Sequence, residues 1–440
     1  MKKGMLRLGM LLAMPAWGAA QPADPATREL IEKLLARIDV LEKRVNQLEQ
    51  AATSARAPAP PAPATLVAPP PTQAQAHVHD QPPVPAATTA EAAQPVYPLL
   101  KLSGFSDVDF AASNLHGAPA GPFGPQTLLN THSGFQEGQF VLHFSSALSQ
   151  KVSAFGELTL TARADAGTGS PTTPGFNAEV ERIIVRYDWS DYAKFSFGRY
   201  HTPINYWNTA FHHGQWLQTT ISRPEMIQFG GSFLPVHFVG GLVEGEVPAG
   251  HLNLNYNVGI GNGRGQVISR AGDAGDINNN RAWLINAFIK PDALYGLQLG
   301  GSVYRDAINN TAGLAAREWI ESAHLIWQKE SPEFLAEFAN VHHQPSTGGV
   351  ISNSQAFYLQ TAYRLPGAAR ALKPYFRFEQ IHVPRSDAIF RSVVPVFSAA
   401  TGGVRYDITT FAAFKLEYRN YWRRDLPPFH GIFTQTSFTF

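Results

Sequence analysis

The chain has 440 residues, 16% of them charged, with 28 Phe, no Cys and a formal net charge of +1. An apolar content of 44% is too high for a solvated coil. The missing sulfur excludes disulfide scaffolds, iron–sulfur clusters, thiolate zinc sites and cysteine nucleophiles, near-neutrality excludes the electrostatic footprint of a nucleic-acid binder, and the charged fraction falls well below the roughly 25% of an ordinary soluble domain.

Residues 1–20 read as a secretory signal peptide. Lys2, Lys3 and Arg7 precede a short apolar stretch, Leu8 to Met14, and Gly18-Ala19-Ala20 supplies a small-residue cleavage site. Its removal would take the net charge from +1 to −2. Residues 21–50 carry a helical repeat. Ile31, Ile38 and Val45 share one heptad position and Leu34, Leu41 and Leu48 the other, an a/d seam. Arg37 and Arg44 stand at g, and Glu42 and Glu49 at the following e positions, spaced for ion pairs between parallel helices. β-Branched a residues favour a dimer, while Leu35 widens the stripe enough for a trimer. Residues 51–98 hold 12 Pro and 15 Ala with only Arg56, Asp80 and Glu91 charged, a composition for an extended linker that buries no core.

From Leu99 onward the period changes to two. Leu252 to Ile260 alternates apolar residues with Asn and Gly. Phe414, Leu416, Tyr418 and Trp422 oppose Lys415, Glu417, Arg419 and Arg423. Aromatics such as Tyr187 and Trp189, Trp319 and Trp327 stand at strand ends, as a membrane girdle requires. Short connections at 149–150, 190–191, 248–250, 291–296, 329–332 and 409–410 alternate with long ones near 113–138, 165–177, 202–235, 263–280, 345–353 and 386–400. Residues 99–440 therefore predict an all-β transmembrane barrel of about 16 antiparallel strands. Only a closed barrel leaves no strand backbone unpaired in lipid, and this strand number leaves an aqueous interior.

Signal peptide, coiled coil, Pro/Ala linker, sixteen-strand barrel and terminal Phe440 together resemble the trimeric porins of Gram-negative outer membranes. The stretches Phe197-Gly198-Arg199-Tyr200-His201-Thr202-Pro203 and Leu234 to Gly241 are most similar to the phosphate-selective porin O and P superfamily. The resemblance implies a homotrimer in outer-membrane lipid; an even strand number returns both ends of the barrel to the periplasm, which puts residues 21–98 within reach of the cell wall. The resemblance also implies a third loop, here 202–235, that folds into the pore. Pore-lining and constriction candidates in that region are His201, His212, His213, Arg223 and Glu225, with Trp207 and Trp216 beside them. An Arg405, Lys415, Arg419 and Arg423 strip on one wall offers a transverse field for orienting solutes. Inward acids such as Glu157, Glu337, Glu379 and Glu417 balance the inward bases, and the third loop contains no Lys, which departs from the phosphate pattern.

Two histidine pairs, His212-His213 and His342-His343, invite a metal reading, but neighbours on a strand point to opposite faces and chelate poorly. Asp273, Asp276, Asn278 and Asn280 lack the spacing and bidentate Glu of a calcium hand. No G-x-S-x-G nucleophile elbow occurs. The expectation is a non-catalytic chain without metal or cofactor: a porin passing small hydrophilic solutes or ions by diffusion. The alternatives are an anion- or phosphate-type selective channel, or a barrel that anchors a structural tether to the cell wall.

Overall fold

The computed structural model describes residues 97–114, 133–163, 166–167, 169–228, 233–247, 249–310, 312–424 and 427–440. The signal peptide, the coiled coil and nearly all of the linker lie outside the described residues, as does the middle of the first long loop.

Sixteen antiparallel strands form one closed barrel in which each strand pairs with its sequence neighbours. They are β1 Leu99–Ser113, β2 Gly134–Ala147, β3 Val152–Ala162, β4 Phe176–Ser190, β5 Ala193–His201, β6 His237–Val247, β7 Leu254–Asn262 and β8 Ala282–Ile289, followed by β9 Leu297–Asn309, β10 Ala315–Gln328, β11 Glu333–Pro345, β12 Ser352–Ala362, β13 Leu372–His382, β14 Phe397–Thr409, β15 Ala412–Arg423 and β16 Phe429–Thr439. The ring closes where β1 meets β16, with Phe105 opposite Thr439 and Ser113 opposite Gly431. Phe440 and Gly104 exchange two further backbone hydrogen bonds, of 3.0 and 3.1 Å. No edge remains, so every strand has a partner on both sides.

Alternation sorts side chains to the two surfaces of the ring. Phe414, Leu416, Tyr418 and Trp422 of β15 are exposed on the outside, whereas Lys415 and Glu417 are fully buried inside. Ile183, Val185, Tyr187 and Trp189 of β4 and Phe195 and Phe197 of β5 continue the outer apolar belt. A cation in that belt has no water to meet. Leu416→Arg is expected to cost about 2–4 kcal/mol of barrel stability in lipid vesicles. Denaturant unfolding checks this, and a cost near zero would mean that β15 does not face lipid.

Both kinds of connection occur as the alternation of lengths predicts, and three more lie where the sequence pattern is quiet. The connections 310–314 and 424–428 are short although they share the end of the barrel that bears the long loops, and 363–371 joins β12 to β13 at the other end. Local chemistry explains two of them. Gly313 and Gly367 adopt φ of 73° and 62°, and the Asn310 carboxamide oxygen accepts from the Leu314 N–H at 2.9 Å. In the turn after β8, hydrogen bonds from Asn253 and His251 hold the exposed Asp292 carboxyl below its usual range.

Two glycines of the β5 and β6 strands are required sterically. A Cβ on Gly198 (φ 155°) would lie 1.9 Å from the Ile183 carbonyl oxygen, and one on Gly240 would lie 2.2 Å from that of Ile260. Among the described residues, no helix is long and apolar enough to cross a membrane.

Candidate functional site

The barrel interior is occupied by its longest described connection, 202–236. The loop leaves at His201 and returns at His237, the last paired residues of the β5–β6 ladder. Thr202 N–H donates to the Val236 carbonyl at 3.0 Å, and the Asn208 amide donates to the carbonyls of Thr202 and Val236 at 3.0 and 2.9 Å. These bonds close the neck of the loop. Asn205 takes a left-handed backbone (φ 62°), which asparagine tolerates, and a single helical turn, Trp207–Ala210, follows.

From there the chain crosses to the wall formed by β11 to β15, which meets it with charged side chains. Glu337 accepts from the Tyr206 and Trp207 N–H groups at 3.0 and 2.6 Å. Glu417 accepts from Ile221 N–H at 2.9 Å, from the Ser222 hydroxyl at 2.7 Å and from the Tyr375 hydroxyl at 2.9 Å. Arg377 donates to the Ser222 carbonyl and hydroxyl at 2.7 and 2.6 Å. Arg405 donates to the Trp216 and Gln218 carbonyls at 2.6 and 3.1 Å, Lys415 to those of Gln215 and Thr220. Glu379 accepts from Glu225 N–H at 2.6 Å. A buried non-repetitive segment carries peptide groups that its own backbone cannot satisfy, and here the lumen charges satisfy them. Trp207 packs edge-on against Tyr358 at 5.8 Å, and Trp216 stacks on Phe105 at 6.5 Å.

The residues singled out in the sequence divide into two groups. His201, His212 and His213 lie together at the loop neck with His237, and the His201 and His212 rings stack at 3.7 Å. Arg223 donates to the His212 carbonyl. Glu225 sits at the far wall beside Glu379. Arg405 and Lys415 are loop anchors, both buried. Arg419 pairs with Glu417 and lies 3.8 Å over the Phe433 ring, and Arg423 lies 6.0 Å over Phe397. The four bases thus stand on one wall, but two of them are committed to the loop's carbonyls.

Sequence periodicity singled out neither His237 nor Glu181. A β-bulge explains the second. Glu157 pairs with Arg182 and the next residue, Leu158, with Val180, so Glu181 is the extra residue of β4. The bulge lets Glu181 and Arg182 both turn inward, where a regular strand would send them to opposite faces. The pair His342-His343 does obey strand geometry: His343 is buried inside between Glu318 and Asp387, both at 3.0 Å, while His342 contacts Glu321 and Asn353 outside. Burial works against the Asp387 carboxylate, yet hydrogen bonds from His343 and Ser354 bring it below its usual range. In the acidic loop, Asp273 accepts from Arg199 at 2.8 Å and Asp276 pairs with Arg281, an arrangement of ion pairs.

No protein-family model and no curated protein matches the chain. Solved structures do. An anion-selective porin from Comamonas acidovorans is similar at 12% identity and a TM-score of 0.54, over 78% of this chain and 100% of the other. The outer membrane channel DcaP of Acinetobacter baumannii matches at 12% identity and a TM-score of 0.53, over 78% and 97%. Salmonella typhi OmpF, in complex with daunomycin, matches at 11% identity and a TM-score of 0.52, over 78% and 97%. At these identities the shared feature is the fold.

Proposed function

We propose that this protein is an outer-membrane porin, a homotrimeric channel through which small hydrophilic solutes diffuse passively past a constriction made by loop 202–236. One observation carries the reading: a closed sixteen-strand barrel is apolar outside and charged inside, and its longest described loop is hydrogen-bonded across the lumen. A barrel of this strand number is wide enough for water and solute, and the loop narrows it. The similarity of fold to an anion-selective porin and to the outer membrane channel DcaP supports the same reading. No catalytic role is assigned to any residue.

Purified protein in a planar bilayer is expected to give discrete conductance steps, and a folded preparation that gives none in any salt would refute the channel. Weak ion selectivity is expected, because Arg405 and Lys415 donate to loop carbonyls and inward Glu417, Glu337 and Glu379 offset the remaining bases. A strongly anion-directed reversal potential in a salt gradient would instead favour the selective-channel alternative. Crosslinking in mild detergent is expected to give a trimer, and a monomer alone would overturn that part of the proposal. The resemblance to the porin O and P superfamily, with a periplasmic stalk at residues 21–98, belongs to this proposal as well.

A further inference from the structure

At the neck of the loop, six side chains with metal-binding chemistry converge from five parts of the chain: Glu157 of β3, Glu181 of β4, His201 and His237 at the ends of β5 and β6, and His212 and His213 of the loop. One donor atom from each of Glu181, His201, His212 and His237 lies within 4.8 Å of every other, and Glu157, His201 and His213 form a second, overlapping set. All are buried. His237 Nε2 lies 2.7 Å from Glu181, and His213 Nε2 lies 3.1 Å from the same carboxylate. His212 Nδ1–H donates to Asn208 Oδ1 at 2.8 Å, an outer bond that fixes the tautomer with Nε2 as the electron-pair donor.

His201 is the independent observation. Its side chain is 2% exposed, and neither ring nitrogen has a hydrogen-bond partner. Buried imidazole nitrogens are ordinarily satisfied; this one is aimed into a cluster of imidazoles and carboxylates, 3.6 Å from Glu157. Three guanidiniums border the cluster and are engaged: Arg182 pairs with Glu157, Arg199 with Glu179, Glu181 and Asp273, and Arg223 donates to the His212 carbonyl.

We propose that Glu181, His201, His212 and His237 bind a divalent transition-metal ion of the zinc class, which ties the inward loop to the barrel wall. Three imidazoles and a carboxylate are a borderline donor set that suits zinc, copper or nickel and not calcium or magnesium. Tetrahedral coordination at about 2.1 Å places donors roughly 3.4 Å apart, so the cluster contracts slightly on binding. The ion satisfies His201 and cross-links β4, β5, β6 and the loop. His212, one of a pair that would chelate poorly on a regular strand, can contribute here because residues 212–213 lie in a turn of an irregular loop.

The test uses untagged full-length protein, folded in detergent, exposed to zinc chloride and freed of unbound ion. Elemental analysis is expected to find one zinc per chain. His201→Ala and His237→Ala are expected to weaken binding by at least about 100-fold, while His251→Ala, at an exposed turn histidine, leaves it unchanged. A folded wild-type barrel without stoichiometric zinc would overturn the site, as would loss on His251→Ala equal to that on His201→Ala. Should the cluster variants fail to fold, cobalt substitution of the wild type decides. An intense visible band of tetrahedral cobalt supports the site, and the weak absorption of octahedral cobalt overturns it. None of these readouts involves conductance, so failure here is distinguishable from failure of the channel.

Discussion

Deleting residues 206–227 is expected to raise single-channel conductance severalfold without dissolving the barrel. Those residues supply the groups that reach the opposite wall: Tyr206 and Trp207 to Glu337, Trp216 and Gln218 to Arg405, Ile221 and Ser222 to Glu417 and Arg377, and Glu225 to Glu379. None of these bonds belongs to the strand ladders, which stay complete from β1 to β16. Water can then rehydrate the wall charges that the loop now covers. Planar-bilayer recordings of the deletion beside the full chain make the measurement. Unchanged conductance would mean that the resistance of the pore lies elsewhere.

The second large effect is at Glu417. Its carboxylate is fully buried and accepts from Ile221, Ser222, Tyr375 and Arg419. Replacing it with alanine leaves the Arg419 guanidinium facing a gap, with the Ser222 and Ile221 donors unmatched. Removing one member of a buried ion pair typically costs about 3–5 kcal/mol, and Glu417→Ala is expected to fall in that range when unfolding is followed in vesicles. Without 206–227, water reaches Arg419, so the same substitution is expected to cost much less. That non-additivity measures the coupling between loop and wall. Equal costs in the two backgrounds would show that Glu417 serves the strand pair alone.

Much of the architecture was legible because lipid imposes a severe rule on sequence. A membrane strand must alternate, so Phe414, Leu416 and Tyr418 against Lys415, Glu417 and Arg419 announce both surfaces of β15 without any long-range information. Strand number followed from the spacing of turn chemistry, even with 310–314, 363–371 and 424–428 left unmarked. Periodicity alone cannot phase all of β4, where one bulged residue puts both Glu181 and Arg182 inward. It is silent about what an inward charge meets. Arg405 and Lys415 read as a strip facing the pore, and they hold peptide carbonyls about 190–200 residues away in sequence.

The class of the molecule thus follows from local pattern: low overall charge, an outer face almost free of it, a period of two and a run of turns that only a closed barrel satisfies. The path of loop 202–236 was decided by tertiary structure alone. A backbone that leaves its ladder must find partners for its peptide groups wherever the fold places them, and no local pattern encodes which wall that is. The same holds for the four histidines at the neck, since His201 and His237 are joined by the β5–β6 ladder and His212 is returned to them by a turn within the loop.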